Sequence, residues 1–438
     1  MPDHATSSDV AVQAQLDRLW SLSPGADVLG LDRITRLLAR LGDPHLALPP
    51  VFHVAGTNGK GSTCACLRAA LEAAGLRIHA YTSPHLVRFN ERIRLAGRLI
   101  EDVALATLLA EVLDAGGDIG ASFFEVTTAA AFLAFARTTA DACVIEVGLG
   151  GRLDATNVIA SPVACGIAAL GIDHQAFLGD TLAQIAVEKA GIAKPGVPLL
   201  TMRYAPDIAA RVSDAATRAG ARILAEGTAW HVAEGDGRVR YHDAAGALDL
   251  PLPALPGAHQ AENLGLAVAM LRHQRAVPVP DSALAAAATT ARWPARLQRL
   301  RPGPLTAPLG ARPVWLDGGH NPSAGEAIAR SLGRLLPDDT PLDVILGMLA
   351  NKDPAGLLAP FAPRIATLTA IPVPGHDHHA PDDLAALAAA LGIAATTTAA
   401  DAAAAIDALS RGPSHPVLVL GSLYLAGRVL AANDELPD

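Results

Sequence analysis

Val51–Ser62 reads VFHVAGTNGKGS, an apolar run that passes into closely spaced glycines and a lysine. Against the common nucleotide loop G-x-x-x-x-G-K-[ST] the stretch is out of step. Five places before Gly59 stands Val54, and Gly61 separates Lys60 from Ser62. It fits the spacing G-x-x-G-K-G-[ST] instead, with Gly56, Gly59, Lys60, Gly61 and Ser62 in place. A strand over Val51–Ala55 precedes it. A helix over Ser62–Ala74 follows, with Cys64, Leu67 and Leu71 on one stripe and Gly75 at its C-cap. Amides and the dipole at such a helix start bind phosphate, glycines let the backbone approach, and lysine adds charge. A plain glycine turn with a solvated lysine has no need of this whole set. Gly56, Thr57, Asn58, Gly59, Lys60, Gly61 and Ser62 are therefore the expected phosphate contacts.

Strand–helix alternation continues outward. Arg77–Thr82, Ala142–Val147, Pro162–Leu170 and Pro198–Met202 read as strands and Phe124–Ala136 as a helix. Asp180 reads as the cap of a helix to Ala193. Near-continuous apolar strands between amphipathic helices predict a parallel sheet covered on both faces. Residues 230–252, WHVAEGDGRVRYHDAAGALDLPL, show short alternating runs between turn glycines and predict a small antiparallel insert. Proline and arginine cluster in RWPARLQRLRPGPLTAPLGARP, residues 292–313, which marks a hinge. VWLDGGHNP, PLDVILGMLA, RIATLTAIPV and HPVLVLGS beyond it hold further strands. The expected class is α/β. An N-terminal P-loop ATPase domain with a mainly parallel sheet spans 1–295, a linker 296–312, and a smaller Rossmann-like α/β domain 313–438.

The chain has 438 residues, enough for two cores, and is 51% hydrophobic. Its 43 acids outnumber 34 bases for a net charge of −9. No Lys/Arg run argues for nucleic acid or an anionic membrane, so an anionic substrate must be held by local positive features. The polar start MPDHATSSDVAVQAQ lacks a signal-peptide pattern, and the apolar runs fall short of the roughly 20 residues that span a bilayer. Cys64, Cys66, Cys143 and Cys165 form no C-x-x-C pair. A reduced, cytoplasmic enzyme is expected.

Further motifs sit at predicted strand ends. In DACVIEVGLGGRLDATN a strand ends in Glu146, at the sheet edge where α/β folds bind ligands. Beside a phosphate loop that carboxylate suits magnesium; elsewhere it would read as a solvated acid. GIDHQAFLGD puts Asp173 and His174 at the same edge, and an imidazole ligand lets manganese compete. In the next helix Leu182, Ile185 and Lys189 follow i, i+3, i+7 spacing, which puts a lysine on the apolar stripe. It either snorkels to water or is chemically special. Gln260 and Asn263 open another helix, where polar first-turn residues are common, although amides can read a purine edge. Asp317 in WLDGGHNP is placed for ribose hydroxyls. His376, His378 and His379 in GHDHHAPDD lack cysteines and helical pairing, so a solvated loop is the better reading than zinc.

These residues together resemble one family. HVAGTNGKGST, TSPHLVRFNERI, FFEVTTAAAF, EVGLGGRLDATN, IDHQAFLGDT, EKAGIAKPG, WPARLQ, LDGGHNP and GSLYLAG stand in the order of bacterial dihydrofolate synthase/folylpolyglutamate synthase. That family belongs to the Mur-ligase superfamily of ATP-dependent amide ligases. The match runs from GLDRITRLLARLG at residue 30 to GSLYL. The departures are small: DGGHNP for DGAHNP and WPARLQ for WPGRLE. The resemblance implies ATP, one or two magnesium ions on Ser83, Glu146 and His174, and a carbamylated Lys189 (N6-carboxylysine). Lys60 would hold the ATP phosphates, Gln260 and Asn263 the adenine, Arg296 the phosphates and Asp317 the ribose. His320 and Ser422 would serve glutamate and phosphate, and Phe124 and Asp154 the pterin substrate. Lys189, His320 and Lys60 are the expected catalytic residues.

The implied chemistry is acyl activation of dihydropteroate, or of the γ-carboxylate of a reduced folate, followed by attack of L-glutamate. An acyl phosphate must be kept from water, which suits closure of two domains about the hinge. A cytoplasmic monomer without nucleic-acid or membrane partners is expected. A monofunctional folylpolyglutamate synthase and a Mur ligase on a UDP-muramyl acceptor stay open as alternatives. The short stretch ahead of Gly56 speaks against the second. A non-catalytic nucleotide-binding regulator would keep the loop but has no use for Lys189, His174 and His320 together.

Overall fold

The structure, a computed structural model, describes residues 5–22, 29–337 and 340–438. The apolar run ahead of the glycine loop lies inside an eight-stranded sheet. Its strands are β1 (Val51–Ala55), β2 (Ile78–Tyr81), β3 (Ile93–Leu95), β4 (Arg98–Leu99), β5 (Ala142–Glu146), β6 (Ala164–Ile167), β7 (Pro198–Thr201) and β8 (Arg222–Ala225), in the order β4-β3-β2-β5-β1-β6-β7-β8. From β2 to β8 in that order the neighbours run parallel, and the β3–β4 edge is antiparallel. Tyr81, Cys143 and Ile145 enter a core shared with helices Val10–Leu22, Asp32–Arg40, Asp102–Gly116 and Phe123–Arg137. Ala55, Cys165, Ile167 and Leu199 enter another, shared with helices Leu182–Ala190 and Pro206–Arg218. Two covered faces explain why these strands lack polar alternation.

Local chemistry sets the element ends. Ser122 and Glu125 form a reciprocal capping box at the start of Phe123–Arg137. The helix expected to start at Asp180 is capped by Thr181 and runs Leu182–Ala190. Thr181-x-x-Gln184 satisfies two amides reciprocally, which outcompetes the aspartate one place earlier. The insert forms as expected: β9 (Trp230–Gly235), β10 (Arg238–Asp243) and β11 (Gly246–Pro251) make an antiparallel sheet. Asp236 and Gly237, at φ 53° and 72°, make a two-residue turn whose twist suits a hairpin. Among the described residues no helix is long and apolar enough to cross a membrane.

The chain divides into two compact units, Met1–Ala254 with Gln260–Arg292 and Asp438, and Leu255–His259 with Trp293–Pro437. The second unit holds β12 (Gln298–Arg299), β13 (Val314–Leu316), β14 (Leu342–Leu346), β15 (Ile365–Ala370), β16 (Ala395–Thr398) and β17 (Val417–Leu420), ordered β12-β13-β17-β14-β15-β16. All pair in parallel except β12 with β13. The proline- and arginine-rich stretch 296–312 thus carries an edge strand of this sheet. It also carries Arg312, whose Nη2 donates to Asp343 Oδ2 at 2.6 Å while its other nitrogens donate to the carbonyls of His415 and Leu409. Both side chains are buried. Arg312→Met leaves the Asp343 charge without this partner and should cost about 3 kcal/mol, read as an earlier denaturant transition of the second unit.

Candidate active site

The glycine loop leaves β1 at the carboxyl edge of the first sheet. Thr57 and Asn58 amides donate to Ala169 O at 2.8 and 3.1 Å, and the Thr57 hydroxyl donates to Gly171 O at 3.0 Å. The loop is thereby pinned to the segment after β6. Gly56 lies at φ +148°, where a Cβ would stand 2.9 Å from that of Ala168. Gly59, at φ +82°, precedes helix Lys60–Ala73, and a Cβ there would collide with Asn263 Oδ1. No side chain caps this helix, so its first-turn amides remain for an anion. Ser62 is buried in that turn, and the buried Thr63 Oγ1 has no partner among the described residues. Asn263 Nδ2 donates to Gln260 Oε1 at 2.9 Å, so the two amides form one buried pair against the loop.

Register between β1 and β5 sets Glu146 beside Val54, so its buried carboxylate emerges next to the loop. Ser83 N donates to Glu146 Oε2 at 3.4 Å, and Lys60 Nζ stands 4.0 Å from Oε1. Lys60 Nζ also donates to Gly56 O at 3.2 Å, and Lys189 Nζ donates to the same oxygen at 2.8 Å. Lys189 is 5% exposed. Burial first, then Lys60, pulls its pKa down to about 7 against the influence of Asp173 and Asp154. His174 takes φ +53° at the start of the short helix Gln175–Leu178, its amide on Asp173 Oδ1 at 2.8 Å.

Among the described residues no three His, Cys, Asp or Glu side chains close into a metal cage. A buried carboxylate beside the glycine loop, with Ser83 bonded to it, nonetheless suits a hard divalent cation. Such an ion binds through one or two carboxylates, keeps water and takes phosphate oxygens.

The Phe124 ring covers Gly148 and tilts against Tyr81 at 5.9 Å. Asp154 Oδ1 accepts from Thr156 N and Oγ1 at 3.0 and 2.5 Å, and Oδ2 accepts from Leu149 N at 2.8 Å. Burial raises its carboxyl above the ordinary range despite these bonds. The same loop packs on the Lys189 helix: Arg152 N donates to Glu188 O at 2.8 Å, and a Cβ at Gly151 would lie 2.8 Å from Lys189 O.

In the second unit Asp317 follows β13 and accepts from Leu297 N at 2.8 Å and Gly319 N at 2.6 Å. Arg296 lies between Ala295 and Leu297, both at positive φ (53° and 43°), with Nη1 on Ala295 O at 2.9 Å. His320 Nδ1 meets Gly318 O at 2.8 Å. Gly421 N donates to Gly319 O at 3.1 Å, which brings Ser422, the N-cap of helix Leu423–Ala432, beside the Asp317 loop. The histidine-rich loop spends its rings locally. His378 faces His376 O, His379 faces Lys352 O, and His376 stacks on Tyr424 at 3.8 Å.

Two partners of the site escape motif reading. The Ala169 carbonyl carries no side-chain signal and meets Thr57 across more than a hundred residues. His53 did have a signal, a histidine within an otherwise apolar strand, and it bonds Thr156 next to Asp154.

No family model matches the chain. Over 332 residues it is 37% identical to the dihydrofolate synthase/folylpolyglutamate synthase of Escherichia coli (strain K12), covering 76% of this chain and 74% of that relative. The structure of E. coli FolC in complex with DHPP and ADP aligns over 97% of both chains at 33% identity, with a TM-score of 0.86. A bifunctional folylpolyglutamate synthase/dihydrofolate synthase with Mn, AMPPNP and L-glutamate bound aligns over 97% of this chain and 99% of its own, at 30% identity and a TM-score of 0.84.

Between about pH 7 and the ordinary lysine value of 10.5 the folded chain holds Lys189 neutral while the unfolded chain keeps it protonated. The unfolded state then binds more protons, so stability rises with pH across that window and is insensitive to this group below it. In CO2-free buffer, the urea midpoint of wild type relative to Lys189→Met should climb from about pH 7 to about pH 10. Gly59→Ala forces a left-handed alanine, costing about 1–2 kcal/mol, and displaces Asn263. Calorimetry should find ADP bound about tenfold more weakly or worse.

Proposed function

The chain belongs to the dihydrofolate synthase/folylpolyglutamate synthase family and is an ATP-dependent ligase, and from that premise we propose how its residues share the reaction. A substrate carboxylate, that of dihydropteroate or the γ-carboxylate of a reduced folate, attacks the γ-phosphorus of ATP. This forms an acyl phosphate and releases ADP. The amine of L-glutamate then adds to the acyl carbon, and collapse of the tetrahedral intermediate expels phosphate and leaves the amide.

The observation that carries this reading is the meeting of Lys60 and Lys189 on the Gly56 carbonyl, at an uncapped helix start beside Glu146. All three substrates are anionic and the chain is acidic overall, so positive charge must be local. Lys60 and the amides of Gly56–Ser62 hold the phosphates, and Gln260 and Asn263 face the adenine. In the second unit Arg296 serves the phosphates, Asp317 the ribose, and His320 and Ser422 the glutamate and phosphate. Phe124 and Asp154 contact the pterin portion.

Ser83, Glu146 and His174 are the residues that would hold a divalent cation. When bound, such an ion neutralises phosphate oxygens during phosphoryl transfer. Burial pulls the Lys189 pKa down to about 7, so a large share of the amine is neutral near physiological pH. A neutral amine adds CO2 and loses a proton to give a carbamate. Carbamylated Lys189 presents a carboxylate-like head suited to a second cation. The excess of 43 acids over 34 bases supports a reading without nucleic-acid or anionic-membrane partners; a cytoplasmic monomer completes the proposal.

ATP turnover by the purified chain should require L-glutamate together with dihydropteroate, and separately L-glutamate together with tetrahydrofolate. Turnover with a UDP-muramyl acceptor and none with either pterin compound would reverse the assignment. Lys189→Ala should lose about a hundredfold or more in kcat and regain part of it with short carboxylates. Undiminished activity in that variant removes the carbamate role.

A further inference from the structure

The His53 side chain is wholly buried in the middle of β1, where every other residue is apolar. Its Nε2 lies 2.8 Å from Thr156 Oγ1, and that hydroxyl donates to Asp154 Oδ1 at 2.5 Å. A hydroxyl has one proton to give. Spent on Asp154, it leaves Thr156 Oγ1 to accept from the imidazole, so the ring proton sits on Nε2 and Nδ1 is bare. Among the described residues Nδ1 is buried without a partner, and an orphaned acceptor is tolerated better than an orphaned N–H. Burial pulls the His53 pKa down to about 3, so the ring is neutral.

The chain of bonds ends on a hub. Asp154 also gathers Thr156 N and Leu149 N, which closes residues 148–157 into one loop. One side of that loop offers Gly148 to the Phe124 ring. The other packs Gly151 and Arg152 on the helix of Lys189. An aliphatic residue at position 53 would fill the strand without the desolvation cost of an imidazole. What the imidazole adds is a direction: it holds the Thr156 hydroxyl so that its proton points at Asp154.

We propose that His53 and Thr156 are positioning residues for the pterin-carboxylate substrate, locking Asp154 and through it the 148–157 loop on which that substrate is oriented. This rests on the assignment of Phe124 and Asp154 to that substrate made above.

Steady-state kinetics of the full chain with dihydropteroate, ATP and L-glutamate test it. Thr156→Val should raise KM for dihydropteroate about tenfold or more, with kcat and KM for ATP held within about threefold, and Thr156→Ser should restore it. His53→Gln, whose amide nitrogen reaches the Nε2 position, should match wild type. His53→Asn, which reaches only the Nδ1 position, should behave like Thr156→Val. If Thr156→Val does not fold, the two His53 variants report the same difference. The proposal is overturned if Asp154→Asn raises KM for dihydropteroate while Thr156→Val and His53→Asn do not. It is also overturned if all constants shift together without rescue by serine or glutamine, since the network would then be structural only. An unchanged KM in Asp154→Asn removes the substrate assignment and the relay with it. Absence of dihydropteroate turnover in wild type is a separate failure, that of the proposed reaction.

Discussion

Two lysines converge on one carbonyl oxygen, and much of the first unit is arranged around that fact. Lys60 and Lys189 both donate to Gly56 O. Gly56 itself adopts a backbone conformation that other residues rarely take, and a Cβ there would press on Ala168. Two ammonium groups so close, one of them buried, repel each other and lose hydration. Deprotonation of Lys189 is the relief, and burial with Lys60 close by pulls its pKa down to about 7.

The surroundings follow from the same constraint. Positive charge at the loop has to be contributed by groups that an acidic protein can place locally: an uncapped helix start, Lys60, and amides freed by glycine. A negative group on the same sheet edge, 4.0 Å from Lys60, is Glu146, at the far end of a fully buried strand. Its carboxylate balances part of the Lys60 charge. Parallel β1, β5 and β6 deliver the loop, the carboxylate and the Ala168–Gly171 clamp to one edge. In a parallel sheet all strand ends of one kind lie together.

The loop 148–157 ties this edge to the Phe124 and Tyr81 rings. Its glycines let it run against the Phe124 ring on one side and the backbone of the Lys189 helix on the other. The buried Asp154 hub holds its shape with amide and hydroxyl bonds. The packing of Phe124 and the environment of Lys189 thus share one short segment with a polar centre. Such a centre is directional where an apolar one would be merely compact.

Much of this was legible before the fold was known. Apolar run length and glycine placement specified β1, the glycine loop and the helix after it, which starts at Lys60 rather than at the expected Ser62. The spacing of Leu182, Ile185 and Lys189 put a lysine on a buried face, and Lys189 is buried. Glu146 and Asp317 were legible because an apolar run stops at an acid in each case, and the strands do end at Glu146 and just before Asp317. Tertiary structure alone decided what those residues touch. The Ala169 carbonyl has no side chain to announce it, Arg312 meets Asp343 within a stretch that reads as a linker, and His53 gains its meaning from Thr156. Local patterns follow from the backbone periods of 2 and 3.6 residues, which a sequence carries in itself. Contacts between distant segments follow from which strands become neighbours, and that is settled only when the sheet assembles.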